Sequence, residues 1–391
     1  MTTEMSEHGT PDLSEIRERI DAIDTDLLRL FNERLDVSVD VARAKRAMGK
    51  AIYDPARERA KLLRLTEGQL AERQPQVIAL FSLLMSMSKT EQQRFLHTGD
   101  PVAPSRAALA ALKPELEPFP ATATVACQGV EGAYSQIAAC RLFSVPGISF
   151  FSSFDGVFRA VRDGFCDYGV LPIENSTAGS VNAVYDLLAK FGFSIVRSLR
   201  LKVSHNLMAR PGTRLSDVRE VFSHEQALEQ CAGYLERIGA KPRVCENTAM
   251  AAQLVAGSDR RDVAALASAS SAELYGLDIL ERSVQDSDSN YTRFVVVSAK
   301  PQVYAGADRT SLMLSLPHEP GSLYRVLERF YSLDINLVKL ESRPIPGQDF
   351  EFSFYFDLEC PVGSPAFSSL MESLSDVCSR LTYFGSYQEM I

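Results

Sequence analysis

Three cationic side chains lie along one apolar face of the first predicted helix. Apolar residues recur at steps of three and four over residues 13–48, the pattern of an amphipathic helix, and Gly49 is typical of a helix end. Arg34 takes a position where this pattern calls for a hydrocarbon, and Arg17 and Lys45 flank the same face. Because a buried cation is unfavourable unless it is paired, the pattern predicts a site for an anion. The alternative is a solvated helix edge or neutralisation by the nearby acidic residues Glu33, Asp36 and Asp40.

Two shorter helices are predicted to follow. Asp54 and Pro55 are the residue types of a helix cap and a first helical position. A third helix, over about residues 75–96, has an apolar row that continues into polar side chains. The polar residues of that row and of the preceding helix's first turn are Arg57, Glu58, Ser88 and Gln92. The first helix would be about 50 Å long at ~1.5 Å per residue, so a second copy of the chain is expected to cover it.

These polar positions resemble the active-site pattern of the all-helical chorismate mutases that are fused to prephenate dehydratases. The matching residues are Arg17, Arg34, Lys45, Asp54, Arg57, Glu58, Ser88 and Gln92. The resemblance implies that arginines hold the two carboxylates of chorismate, while a lysine and a glutamine donate to the ether oxygen whose bond breaks. Such a rearrangement needs no nucleophile, only a compact conformer and donors aimed at developing charge. The resemblance also implies a dimer that shares the long helix, with Arg17 reaching the partner's site.

Polar side chains also gather at strand ends in the middle of the chain. Between residues 123 and 300, short apolar runs alternate with helical patterns, which predicts an α/β domain. One strand is predicted to end at Pro172 and to be followed by Glu174 and Asn175, and Thr292 lies near the start of another. Strand ends of this kind suit a ligand crevice in an open sheet. The alternative is that these groups are caps and turn residues, or a loop that leads into an ordinary core strand.

A predicted helix over residues 223–239 adds two candidates. Ser223 stands three residues before Gln226, the spacing of a capping box, so capping alone would explain it. Gln230 lies about two turns on, where an exposed glutamine without a role is common. His224 is predicted to be a structural histidine rather than a base.

Six motifs in this region resemble those of prephenate dehydratases: QGVEGAYSQIAA, LPIENSTAGSV, SHEQALEQC, NTAMAA, LYGL and NYTRFVVV. The resemblance implies two α/β lobes with a cleft between them, and the conversion of prephenate to phenylpyruvate, carbon dioxide and water. It assigns the catalytic or substrate-binding positions to Glu174, Asn175, Ser223, Gln230 and Thr292. Thr292 would act as a hydrogen-bond donor backed by a proton source, for which a desolvated Glu174 is a candidate. The loop 129–133 departs from the family in lacking a hydroxyl residue.

The region 307–391 is predicted to form a strand, a helix, two strands and a helix over about residues 364–381. This order indicates a βαββα module of ferredoxin-like type, and it resembles the ACT regulatory domain. In that domain an amino-acid effector lies at a dimer interface between two turns, and phenylalanine is the expected effector here. The corresponding positions are Gly321, Ser322, Leu323 and Tyr324 in the first turn and Glu341, Ser342, Arg343 and Pro344 in the second. Ser322 and Tyr324 depart from the small or aliphatic residues that are common in the family.

Composition limits the class of protein. The formal net charge of −9 argues against a nucleic-acid partner. Seven cysteines without a C-x-x-C pair indicate neither a disulfide framework nor a zinc site, and no metal or cofactor is expected. No run approaches the ~20 apolar residues of a membrane span, and the first residues lack the apolar segment of a signal peptide. A cytoplasmic location is therefore predicted, with no membrane partner.

The predicted fold is multidomain. It comprises a helical mutase domain over 1–97 in an intertwined dimer, a proline-rich linker over 98–121, a two-lobed α/β dehydratase domain over 122–300, and an α+β ACT domain over 307–391. The predicted protein is a bifunctional enzyme of phenylalanine biosynthesis that acts on chorismate and prephenate as a homodimer or higher homo-oligomer. The alternatives are a dehydratase that prefers arogenate and a non-catalytic, amino-acid-responsive binding protein. Such a sensor would need neither the helical cations nor Thr292.

Overall fold

The chain divides into two compact units, Met1–Pro101 and Val102–Ile391. The computed structural model describes residues 12–49, 54–96, 117–287, 289–344, 352–374 and 377–391, so residues 98–116 of the predicted linker lie outside it. Across these described ranges, no helix combines the length and the apolar character needed to cross a membrane.

The described part of the first unit consists of α1 (Leu13–Ala47), α2 (Pro55–Thr66) and α3 (Gln74–Leu96). Asp54 Oδ1 accepts a hydrogen bond from the Arg57 amide at 3.1 Å, which confirms the predicted cap of α2. Gly49 follows the end of α1 with φ +63°, which confirms the predicted helix end.

Much of the apolar face of α1 is exposed in the single chain. At ~1.5 Å per residue the 35-residue helix is about 50 Å long, which exceeds what α2 and α3 cover. Six side chains of this face are between 38% and 64% exposed: Leu13, Ile16, Ile20, Ile23, Leu27 and Leu30. A continuous exposed apolar stripe of this kind marks an interaction surface.

The second unit contains three sheets and the helices that pack on them. In chain order its elements are β1 (Thr122–Gln128), α4 (Tyr134–Leu142), β2 (Val145–Phe151), α5 (Phe154–Arg162), β3 (Tyr168–Asn175), β4 (Gly179–Ser180), α6 (Asn182–Phe191), β5 (Ser194–Lys202), β6 (Asn206–Ala209), β7 (Glu220–His224), α7 (Glu225–Glu229), α8 (Ala232–Ile238), β8 (Lys241–Cys245), α9 (Thr248–Ala256), β9 (Val263–Ala267), α10 (Ala269–Tyr275), β10 (Asp278–Glu281), β11 (Tyr291–Ser298), β12 (Arg309–Ser315), α11 (Ser322–Ser332), β13 (Asn336–Pro344), β14 (Phe352–Glu359), α12 (Pro365–Leu374), β15 (Arg380–Tyr387) and β16 (Glu389–Met390).

The first lobe is built on a seven-stranded sheet of order β16-β5-β11-β3-β1-β2, with β4 paired to β3. The central strand β11 runs antiparallel to both β3 and β5, and all its residues after Tyr291 are buried. The strand predicted to start near Thr292 is therefore confirmed. Its register sets Thr292 opposite Asn175, and Arg293 opposite Glu174.

The second lobe is built on a five-stranded sheet of order β10-β6-β9-β7-β8. The loop of residues 129–133 in the first lobe contacts this second lobe. The Ser271 hydroxyl on α10 donates to the Gly132 carbonyl of that loop at 3.1 Å. Gly132 has φ +89°, and a Cβ there would lie 3.1 Å from Ser271 Oγ. The loop thus packs the lobes together at a point that tolerates no side chain.

The third sheet, of order β13-β14-β12-β15, belongs to the C-terminal module. Helix α11 packs on it, with Val326 and Phe330 buried. Tyr355, Phe384 and Tyr387 of the module belong to one hydrophobic cluster with residues of the first lobe. We call residues 309–388 the C-terminal module. This module shares a hydrophobic core with the first lobe.

The C-terminal module has one more strand than predicted. The expected helix over 364–381 ends at Leu374, and Leu381 lies in β15, which pairs antiparallel with β12. The run Leu381-Thr-Tyr-Phe384 is rich in β-branched and aromatic residues, which favour a strand. The order is βαββαβ rather than βαββα, and the chain then returns to the first sheet as β16.

Two other predicted boundaries were wrong. Strand β3 continues through Pro172 to Asn175 because β11 pairs with it, and the register shift beside Pro172 accommodates a residue without an amide hydrogen. The helix expected over 223–239 is two helices, α7 and α8. It breaks at Gln230, whose carbonyl accepts from the Asp286 amide at 2.8 Å.

Candidate active sites

A cavity of about 250 Å³ lies among the three helices of the first unit. Seven of the eight residues predicted for this site line it: Arg34, Lys45, Asp54, Arg57, Glu58, Ser88 and Gln92. Arg17 does not line it and is exposed on α1, about five turns before Arg34. The structure therefore brings seven of the predicted residues together around one cavity. Arg17 lies apart from this cavity in the single chain.

Arg34 is held by α3. Its Nη1 donates to Ser88 Oγ and to the Leu84 carbonyl, each at 2.5 Å. Burial lowers the pKa of Arg34 from its ordinary value. The alternative of neutralisation by Glu33, Asp36 or Asp40 is not what fixes this guanidinium, since its hydrogen-bond acceptors among the described residues are a hydroxyl and a carbonyl.

The cavity carries more positive than negative charge. Lys61 and Lys89 line it as well, and sequence reasoning missed both. Lys89 Nζ lies 3.0 Å from Glu58 Oε1, so that one lysine and one carboxylate form a pair. The pKa of Lys45 is lowered, first by burial and then by the neighbouring Arg57. Five cationic and two acidic lining residues suit a ligand with more than one negative charge.

The second site is a chain of side-chain hydrogen bonds that joins the two lobes. Asn175 Nδ2 donates to Thr292 Oγ1 and to Asn290 Oδ1, both at 2.9 Å. Asn290 Nδ2 donates to Gln230 Oε1 at 2.9 Å, and His205 Nε2 lies 2.9 Å from the same oxygen. We call Thr292, Asn175, Asn290, Gln230 and His205 the cleft network. Three of its members were predicted, and Asn290 and His205 were not.

Gln230 is oriented by its neighbours. Its Oε1 accepts from Asn290 and His205, while its Nε2 is buried and has no partner among the described residues. Burial lowers the pKa of His205, and the hydrogen bond to Gln230 opposes this only partly, so the ring is neutral near pH 7 and donates from Nε2. The amide hydrogens of Gln230 are thereby left without an acceptor among the described residues.

Thr292 is oriented in the same way. It is 9% exposed, and its Oγ1 accepts the amide hydrogen of Asn175. The hydroxyl hydrogen of Thr292 is then free to donate to a ligand atom. Gln226 Nε2 donates to Asn175 Oδ1 at 3.2 Å and holds the Asn175 amide from the other lobe.

Two predicted residues lie outside the cleft network. Ser223 is not a cap but a residue of β7, and its hydroxyl donates to the Leu266 carbonyl at 2.7 Å. His224 is the cap of α7, which agrees with the predicted structural role of this histidine. Glu174 precedes Asn175 in β3, so that its side chain points to the opposite face. Its Oε1 lies 2.7 Å from Lys339 Nζ of the C-terminal module. The Glu174 carboxylate, predicted as a candidate proton source, therefore forms an ion pair with a lysine.

The two predicted effector turns lie in different surroundings. Gly321, Ser322, Leu323 and Tyr324 line a cavity of about 320 Å³ together with residues of β14 and of the loop before α11. The turn of Glu341, Ser342, Arg343 and Pro344 forms the end of β13 and does not line this cavity. Within the described residues, no cluster of histidine, cysteine and acidic side chains is arranged to hold a metal ion.

Comparison with known proteins matches each unit to a catalytic family. The family model for chorismate mutase type II matches residues 16–93, and the model for prephenate dehydratase matches residues 125–302. A bifunctional chorismate mutase/prephenate dehydratase from Escherichia coli (strain K12) is 33% identical over 385 residues, which cover 95% of each chain.

Two further relatives match about two thirds of the chain. An arogenate dehydratase/prephenate dehydratase from Arabidopsis thaliana is 36% identical over 280 residues, covering 67% of this chain and 71% of its own. A prephenate dehydratase from Arthrobacter aurescens, solved in complex with L-Phe, is 27% identical with a TM-score of 0.62, covering 68% of this chain and 89% of its own.

Proposed function

Because the chain belongs to the family of bifunctional chorismate mutase/prephenate dehydratases, we propose that its two reactions take place in the helical cavity and at the cleft network. The chain converts chorismate to prephenate and prephenate to phenylpyruvate in phenylalanine biosynthesis.

In the helical cavity, Arg34 and Arg57 bind the carboxylates of chorismate, and Lys45 and Gln92 donate to the ether oxygen. The excess of cations supports this assignment, since a bound dianion offsets both effects that lower the pKa of Lys45, its burial and the repulsion from Arg57. As the carbon–oxygen bond breaks, negative charge develops on the ether oxygen, and a fixed ammonium beside it lowers the barrier.

The mutase site is completed by a second copy of the chain. Arg17 lies on the exposed apolar face of α1, and burial of that face against another α1 would bring one copy's Arg17 to the other copy's cavity. The six exposed apolar side chains of α1 support such a dimer, because a stripe of this length is unfavourable in water.

At the cleft network, Thr292 donates a hydrogen bond to the departing ring hydroxyl of prephenate, and the Gln230 amide binds a polar group of the substrate. The observation that carries this assignment is that protein donors occupy the acceptor atoms of both side chains, which leaves the Thr292 hydroxyl hydrogen and the Gln230 amide hydrogens to donate to a substrate. Donors held in advance need no reorganisation when charge develops on the leaving oxygen. Glu174 is assigned a supporting role, because its carboxylate is engaged by Lys339.

The C-terminal module is an ACT domain that binds phenylalanine and inhibits the dehydratase. Support comes from the βαββαβ order, from the cavity beside Gly321 and Tyr324, and from the relative that was solved with L-Phe. An apolar effector with charged ends suits a cavity that is lined by Phe352, Phe354 and Glu319. Glu319 pairs with Arg325 at 2.9 Å.

A single assay separates the two sites. Purified protein is supplied with chorismate alone, and the loss of chorismate and the appearance of phenylpyruvate are followed in wild type, Arg34→Ala and Thr292→Val. Arg34→Ala is expected to lose chorismate consumption while still converting added prephenate, and Thr292→Val is expected to accumulate prephenate. Full phenylpyruvate formation by Thr292→Val would overturn the dehydratase assignment.

A further inference from the structure

One face of strand β13 in the C-terminal module contacts the first lobe. Lys339, Glu341 and Arg343 alternate along this strand and so share a face. Lys339 Nζ pairs with Glu174 Oε1 at 2.7 Å, Glu341 Oε2 accepts from the Ser180 hydroxyl at 2.6 Å, and Arg343 Nη2 pairs with Asp186 Oδ2 at 2.8 Å. The strand that carries the second effector turn is therefore docked on the dehydratase.

Lys339 holds both strands of a small hairpin at once. Its Nζ also donates to Ser180 Oγ at 2.8 Å, and Ser180 on β4 is paired with Glu174 on β3. The Lys339 side chain is 9% exposed, so little water competes for its ammonium. Without that cation, Glu174 would lose its ion pair, and Ser180, whose hydroxyl donates to Glu341, would lose its own donor.

The hairpin carries a member of the cleft network. Asn175 follows Glu174 directly in β3, and its amide donates to Thr292 Oγ1 on the opposite face of the sheet. Fixing Glu174 from behind thus fixes the backbone from which Asn175 reaches Thr292. A displacement of about 1 Å at a catalytic donor is enough to slow a reaction about 100-fold.

We infer that Lys339 is a positioning residue for the dehydratase reaction, supplied by the C-terminal module, which holds Glu174 and Ser180 so that Asn175 orients Thr292. The inference rests on the proposed role of Thr292 and Asn175 in the cleft. It makes the dehydratase site depend on the position of β13, the strand on which the second effector turn lies.

The test uses the full-length protein and a double-mutant cycle. Dehydratase kcat and KM for prephenate are measured for Lys339→Met, Glu174→Gln and the combination, with the mutase activity of each preparation and its melting temperature as checks on folding. Lys339→Met is expected to lower kcat by about 10- to 100-fold with KM changed less than about threefold. In the Glu174→Gln background the same substitution should have a much smaller effect, since Lys339 acts through Glu174.

Three further variants make the outcome decisive. Lys339→Arg should recover most of the lost kcat because it restores the cation. Lys190→Met removes a lysine that pairs with Asp155 at 3.2 Å outside the site, and should leave kcat unchanged. Lys339→Gln replaces Lys339→Met in the cycle if the latter does not reach the wild-type melting temperature.

The inference fails if Lys339→Met, or Lys339→Gln in its place, keeps wild-type kcat, or if its effect is the same with and without Glu174. If Lys339→Met gives either of these results while Thr292→Val is inactive in the same assay, only the inference about Lys339 is overturned. An active Thr292→Val would instead overturn the proposed function on which the inference rests.

Discussion

Arg293 and Asp357 form an ion pair between the first lobe and the C-terminal module, with side chains 6% and 0% exposed. Arg293 follows Thr292 in β11, and its Nε also lies 3.0 Å from Glu389 Oε1 of β16. Tyr387 supplies a further contact, since its hydroxyl oxygen accepts from Arg293 Nη2 at 2.6 Å. The residue beside the proposed catalytic hydroxyl is thus fixed by three groups from the far end of the chain.

Asp357→Asn should destabilise the second unit by several kcal/mol, because removal of one partner leaves part of a buried charge uncompensated. Burial by itself would raise the pKa of Asp357, but the Arg293 guanidinium and the hydrogen bonds to this carboxylate, including that from Ser311, together outweigh burial, and the pKa is lowered. The stabilisation is therefore present above the unfolded value of about 3.9 and is lost as the pH falls through the folded value. Urea denaturation should show the full difference from wild type at pH 7 and a narrowing difference only below about pH 4.

A matched control for that prediction is Asp163→Asn, which removes the exposed partner of Arg162 and should leave the urea midpoint unchanged. Equal stability of Asp357→Asn and wild type at pH 7 would contradict the role given to the buried pair.

His205→Gln should make the stability of the second unit less sensitive to acid. Burial lowers the pKa of His205 in the folded chain, whereas the unfolded chain takes up a proton near the ordinary value of about 6.5. Below that pH the unfolded state binds more protons, so wild-type stability falls as the pH falls. Melting temperatures from pH 7.5 to pH 5 should decline less steeply in the variant, and identical slopes would show that the folded chain does not lower the pKa of His205.

Mixing two inactive mutase variants should restore activity. Arg17→Ala and Arg34→Ala are each expected to lose chorismate mutase activity. If two copies share their sites, a mixed dimer contains one site with both arginines, so that random exchange of subunits recovers roughly a quarter of wild-type activity. The mixture is assayed after subunit exchange, with unmixed variants alongside. Activity no higher than the average of the two variants would exclude an Arg17 that acts across the dimer.

Tyr324→Ala should weaken inhibition of the dehydratase by phenylalanine. Tyr324 lines the cavity beside Gly321, and loss of its ring removes apolar contact worth about 1 kcal/mol or more, or roughly a fivefold rise in the inhibitory concentration. The control is Tyr331→Ala, which removes an 88% exposed tyrosine from the same helix. An unchanged inhibition curve for Tyr324→Ala, or no inhibition of the wild type, would contradict the binding of phenylalanine in this cavity.

The sequence was most informative where a pattern repeats over a long element. The three-and-four spacing of α1 located the misplaced cation Arg34, and seven of the eight predicted residues line the helical cavity. Lys89 escaped notice because helical spacing shows which face a lysine lies on but not which carboxylate it meets across the bundle.

Contacts between distant residues were harder to predict. Strand β3 extends past Pro172 because it pairs with β11. The sequence of neither strand shows that pairing. Adjacent residues on a strand face opposite sides, but only the sheet packed behind β3 reveals that Asn175 faces the cleft and Glu174 the C-terminal module. His205 likewise depends on a contact with Gln230 that spans 25 residues.

The return of the chain to the first sheet as β16 has a consequence for biosynthesis. Glu389 and Met390 pair with β5, and Glu389 accepts ion pairs from Arg200, Arg293 and Arg309. While the protein is still on the ribosome, β5 is an open edge strand and these arginines lack their shared carboxylate. The first sheet therefore reaches its final form only after the C-terminal module has been synthesised, so that a dehydratase with a completed sheet already carries this module.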